Sequence, residues 1–266
     1  QTMTLTITDL QKMYRAGEKL VMTSCYDASF ATLCDEAGVE ILLVGDSVGM
    51  VVQGRDSTLA VSLKDIVYHT ECVARGSCKA LIVGDLPFGT YQASPIQAFE
   101  SATKLMAAGA HMVKAEGGEA MAETVKFLVD RGIPVMGHLG LTPQAVHQLG
   151  GFRVQGKTDE ASERIIQEAK LLEKAGAAAI VLECIPSKLG KAITGAIDIP
   201  TIGIGGGPDC SGQILILHDM LDIYPGKKAR FVKNYMESAG SVQAALANFV
   251  REVKDGTFPE PQHCFN

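Results

Sequence analysis

Four large aliphatic residues in a row, Ile41-Leu42-Leu43-Val44, stop abruptly at Gly45-Asp46-Ser47. Unbroken apolar character over this length suits a strand buried on both faces, the condition of strands in a parallel sheet covered by helices. In such sheets ligands gather beyond the carboxyl ends of the strands, so Asp46 stands where chemistry is usually found. The pattern returns at Leu81-Ile82-Val83-Gly84-Asp85, at Met112-Val113-Lys114-Ala115-Glu116 and at Ile180-Val181-Leu182-Glu183. A polar terminus repeated on four strands points to one shared site.

Between these strands the sequence reads as helices that close on glycine. Ala28 to Ala37 ends at Gly38 and Leu63 to Arg75 at Gly76. The next begins at Ser94-Pro95, a capping hydroxyl followed by proline at the first helical position, and runs to Gly109. Asp159 to Ala175 opens on acidic residues, carries Ile165, Ile166, Ala169 and Leu172 at core spacing, and closes at Gly176. Further strands are expected at Leu20–Ser24, Ile133–His138, Ile199–Ile204 and Ile214–Leu217. Val48 to Ser62 and Leu139 to Thr158 lack a period and read as long loops over the site, with turns at Thr142-Pro143-Gln144 and Gly150-Gly151. Seven or eight strands alternating with helices predict a (β/α)₈ TIM barrel in one α/β domain over residues 1–266, with a short N-terminal helix at about 7–16 and a terminal helix at about 239–255. The competitor, an open doubly wound sheet, normally has a glycine-rich first turn, and Cys25-Tyr26-Asp27 contains no glycine.

A chain that is 47% hydrophobic and 20% charged has ample material for a core. Its formal charge of −6, with no Lys/Arg stripe, argues against nucleic acid or an anionic membrane as partner. Seven cysteines in neither a CxxC pair nor a framework spacing read as reduced thiols, and no apolar run approaches the ~20 residues that span a bilayer. Together with an N-terminus lacking a basic-then-apolar leader, these features lead us to expect a soluble cytoplasmic protein.

At the top of a barrel Asp46, Asp85 and Glu116 would end successive strands and could converge on one cation. A few hard oxygen ligands suit Mg²⁺, although any one carboxylate after a strand could instead cap a helix. Lys114, two residues before Glu116, would share its side of the strand and could either serve the site or pair with Glu116. His138 is a candidate hydrogen-bonding group near the reacting centre. Glu183, across the barrel, is placed as a base rather than a ligand. Gly203-Ile204-Gly205-Gly206-Gly207 fits neither a Walker loop nor GxGxxG, and reads first as close backbone packing.

Several of these stretches, Gly45-Asp46-Ser47, Asp85-Leu86-Pro87-Phe88, Val113-Lys114-Ala115-Glu116-Gly117-Gly118, Gly137-His138-Leu139-Gly140-Leu141-Thr142-Pro143-Gln144 and Thr201-Ile202-Gly203-Ile204-Gly205, resemble the ketopantoate hydroxymethyltransferase family from about Thr4 to Phe265. The resemblance implies a Mg²⁺-dependent barrel enzyme of pantothenate biosynthesis that moves a one-carbon unit from 5,10-methylenetetrahydrofolate to 3-methyl-2-oxobutanoate, giving 2-dehydropantoate. By matched positions it implies Asp46, Asp85 and Glu116 as metal residues, Asp46, Ser47, Asp85 and Lys114 as substrate contacts, and Glu183 as proton acceptor. It also implies a homodecamer of two five-membered rings.

Three positions depart from the family pattern. Ser211 replaces the usual Asp before Gly-Gln, Asp222 the usual Gly after Met-Leu, and Gly206 a common Ala. Two other readings stay open at this level: another Mg²⁺-dependent carbon–carbon lyase or mutase acting on 2-oxo acids, and a non-catalytic barrel subunit.

Overall fold

Caps written in the sequence start the long helices. Thr6, Asp27, Ser62, Ser94, Thr158 and Ser241 each accept a hydrogen bond from a backbone N–H of the following turn. The computed structural model describes residues 3–266, so the first two residues of the expected domain lie outside it. The order of elements is α1 (Ile7–Arg15), β1 (Leu20–Ser24), α2 (Ala28–Ala37), β2 (Ile41–Val44), α3 (Val48–Val51), α4 (Leu63–Gly76), β3 (Leu81–Asp85), α5 (Pro95–Ala108), β4 (Met112–Glu116), α6 (Glu119–Asp130) and β5 (Val135–Gly140). It continues with α7 (Val146–Leu149), α8 (Asp159–Ala175), β6 (Ala179–Glu183), α9 (Ser187–Ala196), β7 (Thr201–Ile204), β8 (Gly212–Leu215), α10 (Leu217–Met220) and α11 (Val242–Asp255).

All eight strands are parallel and pair in chain order, and β8 returns to β1 to close the barrel. The fold is the expected (β/α)₈ barrel, and the open doubly wound sheet is excluded by that closure. The strands are buried throughout apart from Gly140 and Glu183 at the ends of β5 and β6, in keeping with their near-continuous apolar sequences.

Several boundaries differ from expectation. β5 begins at Val135 because Pro134 has no N–H to give the ladder, and it continues to Gly140. β7 likewise starts at Thr201, after Pro200. β8 lies two residues earlier than expected, over Gly212–Leu215, because Gly212 lies against the β1 backbone at Leu20 and Leu217 already begins α10. The stretches expected as loops contain the single-turn helices α3 and α7 and a 3₁₀ turn at Pro143–Ala145, all too short to display a period. α11 starts at Val242 rather than Ala239, where Ser241 supplies the cap.

All seven cysteines are free and four are buried, although Cys78 is exposed. Among the described residues no helix is long and apolar enough to cross a membrane.

Gly76 shows how closely the helical layer packs. It ends α4, and a Cβ placed there would collide with the carbonyl oxygen of Ala28 at the start of α2. The same junction is held by Thr32 Oγ1, which donates to the Gly76 carbonyl at 2.9 Å. Backbone cannot yield as a flexible side-chain tip can. Gly76→Ala is therefore expected to destabilise the fold by about 1–3 kcal/mol, the usual cost of overpacking. Denaturant titration checks this, with Gly132→Ala, whose added Cβ meets nothing but keeps the strain of a φ of 88°, as the comparison.

Candidate active site

Register and alternation together build the site. Asp85 pairs with Lys114, Glu116 with His138, and His138 with Val181, which lies two residues before Glu183. Paired residues of neighbouring strands share a face, and so do residues two apart, so all five polar side chains turn into the barrel at its carboxyl end. They line a cavity of about 850 Å³ together with Asp46 and Ser47. Each expected site residue is thus on one cavity wall. Gly45 gives β2 the clearance: a Cβ there would stand 3.1 Å from Ser47 Oγ and 3.3 Å from Asp85 Oδ2.

Of the two readings left open for Lys114, pairing with Glu116 is not the one seen. The Lys114 Nζ lies 3.0 Å from Asp85 Oδ1, not on Glu116, and also 3.0 Å from Nδ1 of His138. Burial opposes the charge, but the carboxylates of Asp85, Glu116 and Asp46 outweigh it and raise the Lys114 pKa. Lys114 is therefore an ammonium and the donor to Nδ1. That leaves Nε2 of a neutral His138 to carry the proton and donate to Glu183 Oε2 at 2.9 Å. Burial, and then the Lys114 charge, hold the His138 pKa well below its ordinary value. His138 was expected to meet the substrate, yet both ring nitrogens face protein groups.

Glu183 sits at the open end of this chain. Its side chain is 14% exposed, against 4 or 5% for Lys114, Asp85, His138 and Glu116, so it is the group that meets whatever enters. Burial pushes its carboxyl up to about 8. Oε2 is held by His138, which leaves Oε1 towards the cavity. Behind it, Cys184 adopts a left-handed φ of 47° and turns the chain at the end of β6.

The three other carboxylates crowd together. Asp46 is raised to about 7, first by burial and then by Asp85; Glu116 is raised well above its ordinary value by burial and then by Asp46. The Asp46 N–H donates to Asp85 Oδ2 at 2.9 Å. Among the described residues, no three His, Cys, Asp or Glu side chains form a ready-made metal cage. Part of each carboxylate is instead taken by donors of the chain.

The principal donor is Gln144, which the sequence presented only as part of a turn. It is 7% exposed. Its Nε2 donates to Asp46 Oδ2 at 2.9 Å and to the Leu86 carbonyl at 3.0 Å, while its backbone N–H donates to Glu116 Oε2 at 2.9 Å. Its Oε1 accepts from Tyr91 Oη at 2.6 Å and from Gln92 Nε2 at 3.2 Å, and Tyr91 Oη in turn accepts from the Glu116 N–H at 3.1 Å. One amide thereby fixes the ends of β2 and β4. Tyr26 Oη does the same for Ser47 Oγ at 2.6 Å. The sequence-level signals for Gln144 were its place at the end of the Gly137–Gln144 stretch of family resemblance and a long polar side chain directly after proline in a loop over the site.

Comparison with known proteins identifies the family. The sequence profile described as "Ketopantoate hydroxymethyltransferase" matches residues 4–261. The chain belongs to that family. It is a transferase, and the match covers the stretch on which the sequence resemblance was read up to residue 261. The 3-methyl-2-oxobutanoate hydroxymethyltransferase of Chromobacterium violaceum is 59% identical over 263 residues, covering 99% of this chain and 100% of that one. The protein of the same name from Neisseria gonorrhoeae is 58% identical over 261 residues, covering 98% and 99%.

Among solved structures, phosphonopyruvate hydrolase in complex with oxalate and Mg²⁺ superposes with a TM-score of 0.62 at 13% identity, covering 97% of this chain and 93% of that one. 2,3-Dimethylmalate lyase, of the PEP mutase/isocitrate lyase superfamily, gives 0.60 at 15%, covering 79% and 81%. At these identities the likeness concerns the barrel alone.

The family departures find local explanations. Asp222 takes a left-handed φ of 56°, a conformation that favours glycine and that Asp tolerates, and its carboxylate pairs with Lys228 at 2.6 Å. Ser211 Oγ accepts from the Thr201 N–H at 3.1 Å and joins β7 to β8. At Gly206 a Cβ would lie 2.9 Å from the Leu182 carbonyl, so the glycine run is indeed close backbone packing.

Proposed function

We propose that this chain catalyses the Mg²⁺-dependent transfer of a hydroxymethyl group from 5,10-methylenetetrahydrofolate to 3-methyl-2-oxobutanoate, giving 2-dehydropantoate in pantothenate biosynthesis. The observation that carries the reading is the placement of one accessible, high-pKa carboxylate, Glu183, beside a buried ammonium and a crowded carboxylate cluster. Membership of the family supports the same reaction.

The residues fit a divalent cation. Asp46, Asp85 and Glu116 face one ammonium, and burial first, then their mutual repulsion, raises the Asp46 and Glu116 pKa values. Mg²⁺ is commonly held by one or two carboxylates plus substrate oxygens and water. Asp46 and Asp85 would hold it, with Glu116 beside them. When bound, the cation supplies an electrophile to the carboxylate and keto oxygens of the 2-oxo acid, which acidifies the proton on C3.

The rest is done by the chain. Ser47, oriented by Tyr26, binds the substrate beside Asp46. Glu183 Oε1 takes the C3 proton, while the Nε2–H of His138 fixes the other oxygen and so aims the base. Lys114, positioned by Asp85, faces the oxygen on which negative charge develops. One water hydrolyses the folate's methylene group to formaldehyde and tetrahydrofolate. The C3 carbon then attacks the formaldehyde carbon, whose oxygen takes up a proton to become the product's hydroxyl, and the apolar walls at Leu43, Val181, Ile204 and Ile214 shield the carbanionic carbon from bulk water. The same proposal includes a homo-oligomer, decameric by family resemblance, and a cytoplasmic location.

Gln144 offers a test that leaves every ligand in place. Gln144→Leu removes the amide that orients Asp46 while keeping an apolar side chain of similar size. Loss of such a supporting partner typically costs 10–100-fold in metal affinity or activity. Calorimetric Mg²⁺ titration and steady-state assay are expected to show a loss of that size with unchanged circular dichroism; full affinity in the variant would remove Gln144 from the site.

A further inference from the structure

The cavity is lined by strand ends, which carry the reaction's groups, and by outer segments that follow the strands beyond the carboxyl end of the barrel. At about 850 Å³ it falls within the range for ligands far larger than a five-carbon oxo acid. The outer end is built largely by α10 and the segment after it, from Leu221 to Phe231, with Phe152 from the excursion after β5. Its walls carry the rings of Phe152, Tyr224 and Phe231, and Phe152 is 53% exposed although it is a large apolar side chain on a cavity wall. Aromatic rings on a concave wall, one of them exposed, suit a flat heteroaromatic ligand.

Charge is arranged along the same end. Lys227 and Arg230 line the cavity, and among the described residues neither takes part in an ion pair. Two unpaired cations at one cavity mouth of a chain with net charge −6 favour an anionic ligand there. Lys228, between them in sequence, is used differently: its Nζ reaches Asp222 Oδ1 at 2.6 Å and donates to the Tyr224 carbonyl at 3.2 Å. That pair ties the start of the segment to its end and holds Lys227 and Arg230 over the opening.

Asp219 on α10 supplies the opposite polarity on the cavity wall. Its burial is offset by the Lys228 charge alone, with no hydrogen-bond donor among the described residues, and its carboxyl is pushed up to about 6. A half-buried acceptor in that state suits ring amino and N–H donors.

The geometry points to this outer chamber as the binding site of the one-carbon carrier, with Asp219 receiving the amino and N–H edge of the pterin, Phe152, Tyr224 and Phe231 flanking the rings, and Lys227 and Arg230 meeting the carboxylates of the glutamyl tail. The assignment rests on the one-carbon transfer proposed above. It places the methylene-bearing nitrogen between the chambers, next to the carbon that Glu183 activates.

The test is calorimetric binding of tetrahydrofolate monoglutamate to the full chain with Mg²⁺ and 3-methyl-2-oxobutanoate present. The comparison set is the unaltered protein, Asp219→Asn and the double change Lys227→Ala/Arg230→Ala. Each altered form is expected to weaken Kd at least tenfold and to raise KM for the folate by a similar factor. Deuterium exchange at C3, which needs no carrier, reports on the inner site and is expected to continue. In the unaltered protein, rising salt should weaken tetrahydrofolate binding, as it does for exposed charge pairs. Kd within twofold of the unaltered value in both variants, or binding indifferent to salt, overturns the subsite. If the unaltered protein neither binds tetrahydrofolate nor transfers the one-carbon unit, the proposed function falls with it; normal transfer with unaffected variants removes the subsite alone.

Discussion

Replacing Glu183 with Gln is expected to slow deuterium exchange at C3 of 3-methyl-2-oxobutanoate by about 10²–10⁴-fold, the usual contribution of a positioned general base. The substitution keeps the shape and leaves an oxygen that can still accept from His138 Nε2, so the lost property is basicity at the atom facing the cavity. Substrate affinity is expected to change little, because Glu183 binds neither oxygen of the 2-oxo acid in the proposed pose. The pH dependence has a definite sign. The carboxylate is the active form and burial pushes its pKa up to about 8, so exchange by the unaltered protein should rise with pH as that proton is lost. A bound divalent cation nearby draws the limb to lower pH. Exchange at the normal rate in Glu183→Gln would take Glu183 out of its role.

Removal of divalent cations should have an effect of comparable size. Stripping the protein with EDTA is expected to bring exchange and transfer to background, and Mg²⁺ to restore both. Asp46, Asp85 and Glu116 lie in a space with one ammonium, and removing the cation leaves their excess negative charge against Lys114 alone. A readout independent of turnover follows from mass action. Mg²⁺ that binds only the folded chain stabilises it by about 2.7 kcal/mol at a hundred times Kd, visible as a rise in Tm. Asp46→Asn should abolish that rise while, by relieving a crowded carboxylate, leaving the cation-free Tm unchanged or higher. Turnover undiminished in EDTA would remove the cation from the reaction.

The barrel was legible because parallel strands covered on both sides must be apolar along their whole length, so each announces itself and ends where the sequence turns polar. By that rule Asp46, Asp85, Glu116 and Glu183 stand at or just after strand ends on one cavity wall. The partners of these groups were harder to read, because they depend on register across strands. Lys114 and Glu116 share a strand face, yet the shorter reach is to Asp85 on β3, directly opposite Lys114.

His138 lines the cavity, but its two ring nitrogens face Lys114 and Glu183, partners that only the register across strands reveals. Gln144, Tyr91 and Tyr26 went unread because each acts over a long sequence separation: Gln144 reaches back 98 residues to Asp46. The helical turns α3 and α7 were missed because four residues hold barely one turn of any period.

Closure of the barrel also sets an order on the making of the protein. β1 leaves the ribosome well before β8, one of its two neighbours, and Thr23 Oγ1 finds its acceptor, the Leu215 carbonyl, only 192 residues later. Until then a nascent chain carries an unsatisfied strand edge of unusual apolarity, Leu20-Val21-Met22, next to an equally apolar β2. Such edges template association with other chains, and long-range parallel pairing is slow. Every residue proposed for acid–base work has been synthesised by Glu183, yet the pocket acquires its last wall only with β8 and the segment after it. Truncated products of this gene would therefore carry the catalytic side chains without the enclosure that makes them useful, and would present to the cell chiefly an aggregation-prone edge.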